Sequence, residues 1–420
     1  MIAPVSGHAR LRTWIAAVSR VVAWWPWLGL ALIGCGCARG SHEPVQPDAN
    51  ESSSAWWMFD GHVDVTVHYA RAGWRLDAYD LAAATRGQTT LDRLAHGRVG
   101  GGFFTCGSPS DAAPRWPGLA ACLTFLPRLM ARHADRVMLV STADEVARAR
   151  TLGRLAWIPS IEGGDQIDGD LSHLAALRAA GVRSFGLVYD RDNDLGDGAQ
   201  AFVERVQPPR HGGLSALGAR AVDELSRLGI LVDVAHAAES TALAVAARSH
   251  LPVIASHTAA AALVPTPRNA SDAVLRAIAA TDGVVMVTFL PELTDRTFGA
   301  WMAAGDAYWF ALQRESPDSA SARTLMSQWE RGHPRPAVSI AAVADHVDYV
   351  ARTIGVRHVG LGSDFDGMDY TIPGLEDPRG VPALVQELQR RGWNDADVAA
   401  LTHGNILRVL AAADAAVARP

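Results

Sequence analysis

The chain of 420 residues contains no lysine; all 38 of its basic residues are arginine. This absence excludes Schiff-base catalysis, attachment of pyridoxal phosphate, a P-loop lysine and a carboxylated lysine bridging two metal ions. Cysteine is sparse as well, at four residues. Positive charge is not in excess: 44 acidic against 38 basic residues leave a formal net charge of -6, which argues against nucleic-acid binding. What is present is 49% hydrophobic and 20% charged residues, enough for a sizeable core and far from a disordered composition. The length suits two or three average domains, or one α/β barrel with insertions.

The first 34 residues read as an export signal rather than as part of the fold. Arg10, Arg12 and Arg20 come before an apolar run over 21–33, which Pro26 interrupts. The run falls short of the roughly 20 residues that a membrane-spanning helix needs. Leu32-Ile33-Gly34-Cys35 resembles a bacterial lipoprotein box, which implies cleavage before Cys35, lipidation of its thiol and a membrane anchor. Cys37 lacks the preceding residues of such a box. In a Gram-negative host, Gly36 after the lipidated cysteine favours the outer membrane, with the folded part facing the periplasm. Residues 35–55, rich in Ser, Pro, Glu, Asp and Asn, read as a flexible tether, and the folded part is expected over 56–415. Only Cys106 and Cys122 remain there; an oxidising compartment permits them to pair, but their spacing does not decide it.

Short apolar runs recur at 57–64, 99–105, 155–162, 182–189, 230–236, 252–257, 283–289 and 358–364, each ending in polar or glycine residues. Helical patterns such as 214–228, 239–247 and 341–353 lie between several of them. Strand and helix alternating eight times predict a parallel (β/α)8 barrel of the TIM type, an α/β fold. The long, less regular stretch 291–336 is expected to be a helical insertion before the last strand, covering the mouth.

The chemistry-bearing residues fall where the runs end. His62 and Asp64 lie two apart in Asp60-Gly61-His62-Val63-Asp64, and residues two apart on a strand share a face. Glu162 ends the third run, His236 the fifth, His257 the sixth and Asp364 the eighth. In this fold the carboxyl ends of the strands carry function. A lone histidine after a strand is usually a hydrogen-bonded structural residue; three histidines and three carboxylates so placed suit zinc or a similar divalent ion. Six ligands exceed one tetrahedral site with an open position, whereas two ions sharing a bridging carboxylate would use them all. Without lysine the bridge must be a carboxylate, and Glu162 is the central candidate. Most of the other histidines, among them His68, His96, His173, His211, His250, His346, His358 and His403, read as surface or packing residues.

These motifs together resemble the membrane (renal-type) dipeptidases, peptidase family M19 of the amidohydrolase superfamily, over about 57–410. Besides the runs above, the resemblance rests on Ile161-Glu162-Gly163, His211-Gly212-Gly213-Leu214-Ser215 and Arg268-Asn269 eleven residues after His257. Gly362-Ser363-Asp364-Phe365-Asp366-Gly367 and Gly404-Asn405-Ile406-Leu407-Arg408-Val409 complete it. The resemblance implies two zinc ions, one held by His62, Asp64 and Glu162 with Asp364 beside it, the other by Glu162, His236 and His257. A water between them would be acidified to hydroxide and attack the scissile carbonyl of a dipeptide, with Asp364 moving the proton to the leaving amine. Arg268 would clamp the terminal carboxylate of the substrate. The family tolerates a D-residue at the carboxyl end, so L-L and L-D dipeptides are both expected substrates, and a homodimer is a family expectation. Ligand type alone does not separate zinc from manganese or cobalt.

One departure stands out. The family commonly reads Leu-Thr-His-Asn where this chain has Leu187-Val188-Tyr189-Asp190, so Tyr189 occupies the place of a substrate-contacting histidine. A tyrosine hydroxyl is a neutral donor near pH 7, so altered substrate preference is expected. Two rival readings remain: another metal hydrolase on the same barrel, a lactonase or phosphotriesterase, and a non-catalytic binding lipoprotein. Missing lysine and Arg268 count against the first, and the six metal-site positions against the second.

Overall fold

The computed structural model describes residues 56–417 apart from 85, 108–113, 202–205 and 316–318. The expected export signal, the tether and Cys35 lie outside the described residues. Nine parallel strands form one sheet: β1 (Met58–Val63), β2 (Val99–Cys106), β3 (Val137–Leu139), β4 (Leu155–Ile161), β5 (Ser184–Gly186), β6 (Leu231–Asp233), β7 (Ile254–Thr258), β8 (Val284–Val287) and β9 (Val359–Leu361). Their order is β1-β2-β4-β5-β6-β7-β8-β9. Amide and carbonyl groups just past the strands bring β9 back to β1: Asp364 N donates to His62 O (3.0 Å) and Asp64 N to Phe365 O (2.8 Å). This is the expected barrel of eight parallel strands with helices around it.

The ninth strand was not legible as one. β3 is three residues long and pairs with the first half of β4, while β5 pairs only with Ser160 and Ile161 at its far end. β3 thus takes the edge of β4 that β5 leaves free, which keeps backbone donors paired. The fourth expected run, 182–189, is a strand only over Ser184–Gly186.

Two apolar layers hold the barrel. Phe59, Phe103, Ile158, Leu231, Ile254, Val284 and Met286 fill its inside, and Ile406, Val409 and Leu410 of the C-terminal helix Asn405–Val417 close the amino end of the strands. The outer faces of the same strands, with Phe104, Trp157, Val232, Val285 and Leu361, pack under the surrounding helices. At the closed end buried Arg183 donates to Gly229 O (2.8 Å), to Ser141 O and to Asp414, so the last helix is bonded across the base. Cys106, at the end of β2, is disulfide-bonded to Cys122 in the helix Trp116–Arg132 across a separation of 16 residues. A loop of that size stabilises by about 3 kcal/mol through the unfolded chain.

Within 291–336 the described residues form three helices, Pro291–Thr294, Arg296–Glu315 and Ser319–Gly332, as the expected insertion predicts, and a fourth, Ile340–Ile354, leads on to β9. A Cβ at Gly305 would come within 3.2 Å of Met326 and Trp329, so glycine lets the two long helices approach. Tyr370, in the loop after β9, donates to Glu330 Oε1 (3.2 Å) and ties that loop to the insertion.

His346 anchors the start of the insertion and makes stability depend on pH. Its Nδ1 accepts from Ala260 N (2.9 Å) and its Nε2 faces Thr294 O (3.3 Å), so the ring is neutral with the proton on Nε2. Burial pushes its pKa down from 6.5 to about 4, against the Thr294 carbonyl and Asp345. Between these values the unfolded chain binds a proton that the folded chain refuses. This contribution is therefore complete above pH 6.5 and is lost as the pH falls toward 4, by roughly 3 kcal/mol at most. His346→Gln, which keeps a donor and an acceptor, should flatten that loss. Urea denaturation of both proteins at pH 7 and pH 4.5 checks it, and identical pH slopes would refute it.

Candidate metal centre

The six residues singled out by position come together at the carboxyl end of the barrel. Two strand irregularities aim them. In β1, Phe59 packs inside the barrel but Val63 packs outside, because the register with β2 shifts between Asp60 and Val63. In β7 the register with β8 shifts between Ala255, which faces the helices, and Thr258. A regular strand would send His257 out with Ala255; the extra residue of a bulge turns the sequence over. His62 and His257 thereby face each other, with ring centroids 3.9 Å apart. Glycine makes this approach possible, since a Cβ at Gly61 or Gly362 would overlap Ser256 O.

Glu162 Oε1 is the centre of the cluster. Nε2 of His236 lies 3.0 Å from it, Nε2 of His257 3.4 Å and Nε2 of His62 3.5 Å. His62 Nε2 is also 3.5 Å from Asp64 Oδ1 and 4.0 Å from Asp364 Oδ1. Three overlapping sets could each hold an ion, their ligand atoms all within 4.8 Å of one another: His62, Asp64 and Glu162; Glu162, His236 and His257; His62, His257 and Asp364. Asp364 enters with φ 68°, left-handed backbone that costs a residue other than glycine of order 1 kcal/mol or more.

The donor set fits a metal. Three imidazoles turn their Nε2 atoms toward one carboxylate oxygen, and the Nε2 atoms of His236 and His257 are only 3.0 Å apart. The outer nitrogens are held from behind: Ser256 Oγ lies 2.8 Å from His257 Nδ1 and Asp190 Oδ1 lies 3.2 Å from His236 Nδ1. Ligating histidines carry this kind of support. Three carboxylates gathered together, Asp364 buried and Asp64 and Glu162 half-buried, also call for positive charge. Burial depresses His62, but Glu162 and Asp64 outweigh it and raise its pKa to about 10. Burial raises Glu162, yet His62, His236 and His257 together hold it well below the usual range.

The comparisons agree with this geometry. The family model of the membrane dipeptidases, peptidase family M19, matches residues 48–419. The chain belongs to the membrane dipeptidase family, M19. Dipeptidase aclJ of Aspergillus oryzae is 33% identical over 367 residues, covering 84% of this chain and 77% of that protein. Among solved structures, the probable dipeptidase PvdM from Pseudomonas aeruginosa is similar with a TM-score of 0.73 at 25% identity, covering 86% of this chain and 96% of PvdM. A metallopeptidase from Rhodobacter sphaeroides, liganded with a phosphinate mimic of L-Ala-D-Ala, has a TM-score of 0.69 at 26% identity, with 85% and 99% covered. Family membership makes the protein a peptide hydrolase with residue groups suited to metal.

Within this M19 chain, Arg268 and Tyr189 also lie at the centre. Arg268 is buried in the loop after β7; its Nη1 donates to Ala235 O beside His236, while Nε and Nη2 have no partner. Tyr189 stacks on His236, ring centroids 4.4 Å apart, and burial together with Asp190 and Glu162 pushes its hydroxyl well above its ordinary pKa, so it stays neutral. Burial likewise raises Asp364, helped by Asp64 and Glu162 and opposed by His62 and Arg268.

The sequence reading missed the residues that hold the ligands in place. Asp60 accepts from Ser363 N (2.8 Å) and Ser363 Oγ (2.6 Å), joining β1 to the Asp364 loop, and burial raises its pKa to about 6 despite those bonds. Asp233 accepts from Ala235 N (3.0 Å) and Ser256 N (2.9 Å), joining β6 to β7. A carboxylate inside an apolar run, as in Val232-Asp233-Val234, was the signal available. Asp190 was visible only as a departure from the family pattern. Asp190→Ala should weaken metal binding 10- to 100-fold, read by titrating metal-free protein with zinc against a competing chelator; unaltered affinity would remove Asp190 from the support.

Proposed function

We propose that the protein hydrolyses dipeptides ending in a free carboxylate, with two zinc ions held by His62, Asp64, Glu162, His236, His257 and Asp364. The observation that carries this reading is the unpartnered edge of Arg268. Nε and Nη2 form one side of the guanidinium fork, and both are buried without a partner while Nη1 is fixed on Ala235 O. That side matches a carboxylate with two parallel bonds. Two buried N–H groups left without an acceptor are costly, and the terminal carboxylate of a substrate supplies one for each. Family membership and the L-Ala-D-Ala mimic bound by the Rhodobacter sphaeroides relative support short peptides, including those ending in a D-residue.

When bound, the ions would supply Lewis acidity, polarising the scissile carbonyl and making water acidic enough to attack near neutral pH. The protein's own groups do the rest. Arg268 holds the carboxyl end and so fixes the scissile bond in place. Asp364, whose carboxylate lies 4.0 Å from His62 Nε2 at the centre, takes the proton of the attacking water and returns it to the leaving amine. Tyr189 offers a neutral hydroxyl to the developing oxyanion in the place of a histidine. Tyr189→Phe should then lower kcat about 10- to 100-fold and Tyr189→His should restore part of it; no change in either variant would remove Tyr189 from the mechanism.

The test is a panel of L-L and L-D dipeptides, their amides, a lactone and a phosphotriester. Cleavage of free dipeptides that is lost on amidation, lost on chelation and restored by zinc is the expected result. Silence on every dipeptide with two metals bound, or turnover of the lactone or phosphotriester instead, would overturn it. We also propose export and lipidation at Cys35; the Leu32-Ile33-Gly34-Cys35 motif supports it, as does the Cys106–Cys122 bond, which suits an oxidising compartment.

A further inference from the structure

The closed end of the barrel, opposite the metal centre, carries a surface that the reaction above does not use. Two helices close it, Ala143–Thr151 and Asn405–Val417. Val146 and Ala149 of the first and Ile406, Val409 and Leu410 of the second reach the apolar inside of the barrel. The outer side of this end gathers arginine and apolar groups. Trp56 and Trp57 lead into β1, Arg98 into β2, and Leu152 and Arg154 into β4, which are neighbouring strands. The Arg98 guanidinium lies 4.6 Å above the half-buried Trp56 ring, and that of Arg150 4.9 Å above the Trp57 ring. Arg148 and Arg150 stand in the last turn of the helix Ala143–Thr151, whereas its acids, Asp144 and Glu145, stand in the first. Arg148, Arg150 and Arg154 form no ion pair among the described residues. The acids Asp282 and Asp414 at this end are already paired, with Arg357 and Arg408 and with Arg183. Three large apolar side chains are exposed among the described residues, and two of them, Leu152 at 51% and Val417 at 44%, stand on this face.

We propose that this amino end of the barrel docks on an anionic phospholipid surface, with the mouth of the metal centre turned away from it. The inference rests on the proposed lipidation of Cys35, and it adds which face of the barrel meets the membrane. Trp56, the first described residue, stands on this face. The chain from Cys35 to Trp56 reaches about 70 Å at most, so an anchor at Cys35 keeps this face near the lipid and makes a weak attraction sufficient. Arginine matches phosphate in shape and charge, and each one near an anionic leaflet strengthens binding about fivefold. Indole rings settle at the level of the headgroups. Peptides would then reach the metal centre from the aqueous side.

The lipid-bearing chain is placed on vesicles of phosphatidylcholine alone or of phosphatidylethanolamine with phosphatidylglycerol. It is then labelled with phenylglyoxal, an arginine-selective dicarbonyl, and mass spectrometry reads each arginine. Labelling of Arg148, Arg150 and Arg154 should be about tenfold slower on the anionic vesicles and largely recover in high salt, while Arg331 on the insertion labels alike on both. Arg148→Glu combined with Leu152→Glu should abolish the slowing at Arg150 and Arg154, and an unchanged thermal melt shows that the fold is kept. Equal labelling on the two vesicles overturns the inference, and so does slowing at Arg331 to the same extent. Slowing in detergent alone that grows with protein concentration would mark a second copy as the occupant and overturn it as well. A chain whose mass lacks the lipid would overturn the anchor reading instead; an excess of the same vesicles added to that chain then tests the surface by the same labelling.

Discussion

Glu162→Gln is expected to lower dipeptide hydrolysis on the order of a thousandfold and to reduce bound zinc well below two per chain. Glu162 Oε1 is the one atom that all three histidines approach, at 3.0, 3.4 and 3.5 Å. A glutamine there keeps the shape but removes the charge, and its amide nitrogen offers hydrogens where two ions would need an acceptor. His236 and His257 would then be left with one shared set lacking an anion, and His62 with Asp64 alone beside it. The loss should be in kcat, with the fold kept, because the substitution changes no volume. Elemental analysis of the purified variant, beside kinetics and a thermal melt, separates these effects. A variant that retains both metals and most of its activity would show that Glu162 does not bridge.

Arg268→Ala is expected to cost roughly 100- to 1000-fold in kcat/KM on free dipeptides. The guanidinium is buried, anchored by Nη1 and unpartnered along Nε and Nη2, so that edge is positioned before substrate arrives. Amidating the substrate should cost the wild type a similar factor, since it removes the charge and one acceptor. The two changes together should then cost little more than either alone, the signature of groups that interact directly. Arg268→Lys should recover only part of the loss, because an ammonium cannot make the two parallel bonds. If amidation hurts the alanine variant as much as it hurts the wild type, the carboxylate binds elsewhere.

Much of the candidate site was legible because function in this fold gathers where strands end. His236, His257 and Asp364 each close an apolar run, and those runs stand at the mouth of the barrel. Asp190, Ser256, Asp60 and Asp233 were not legible as supports. Asp190, Asp60 and Asp233 make their bonds to residues on another strand or loop, such as Ser363 for Asp60, and no local period marks such a partner, while Ser256 supports its neighbour His257 only because the bulge in β7 turns that ring inward.

The sequence by itself determined the alternation of strands and helices, the helical insertion and the identity of the chemical groups. These follow from periods of 2 and about 3.6 residues, which are written locally along the chain. Only the tertiary structure decided which way those groups point. Alternation alone would have turned His257 outward with Ala255, and the bulge in β7 brings it in. Asp364 reaches the centre on left-handed backbone that His62 O and the neighbouring loop hold in place. The Cys106–Cys122 bond and the pairing of β3 with β4 were settled in the same way. All four depend on packing between segments distant in sequence, where one residue of register decides whether a side chain meets the metal site or the helices outside.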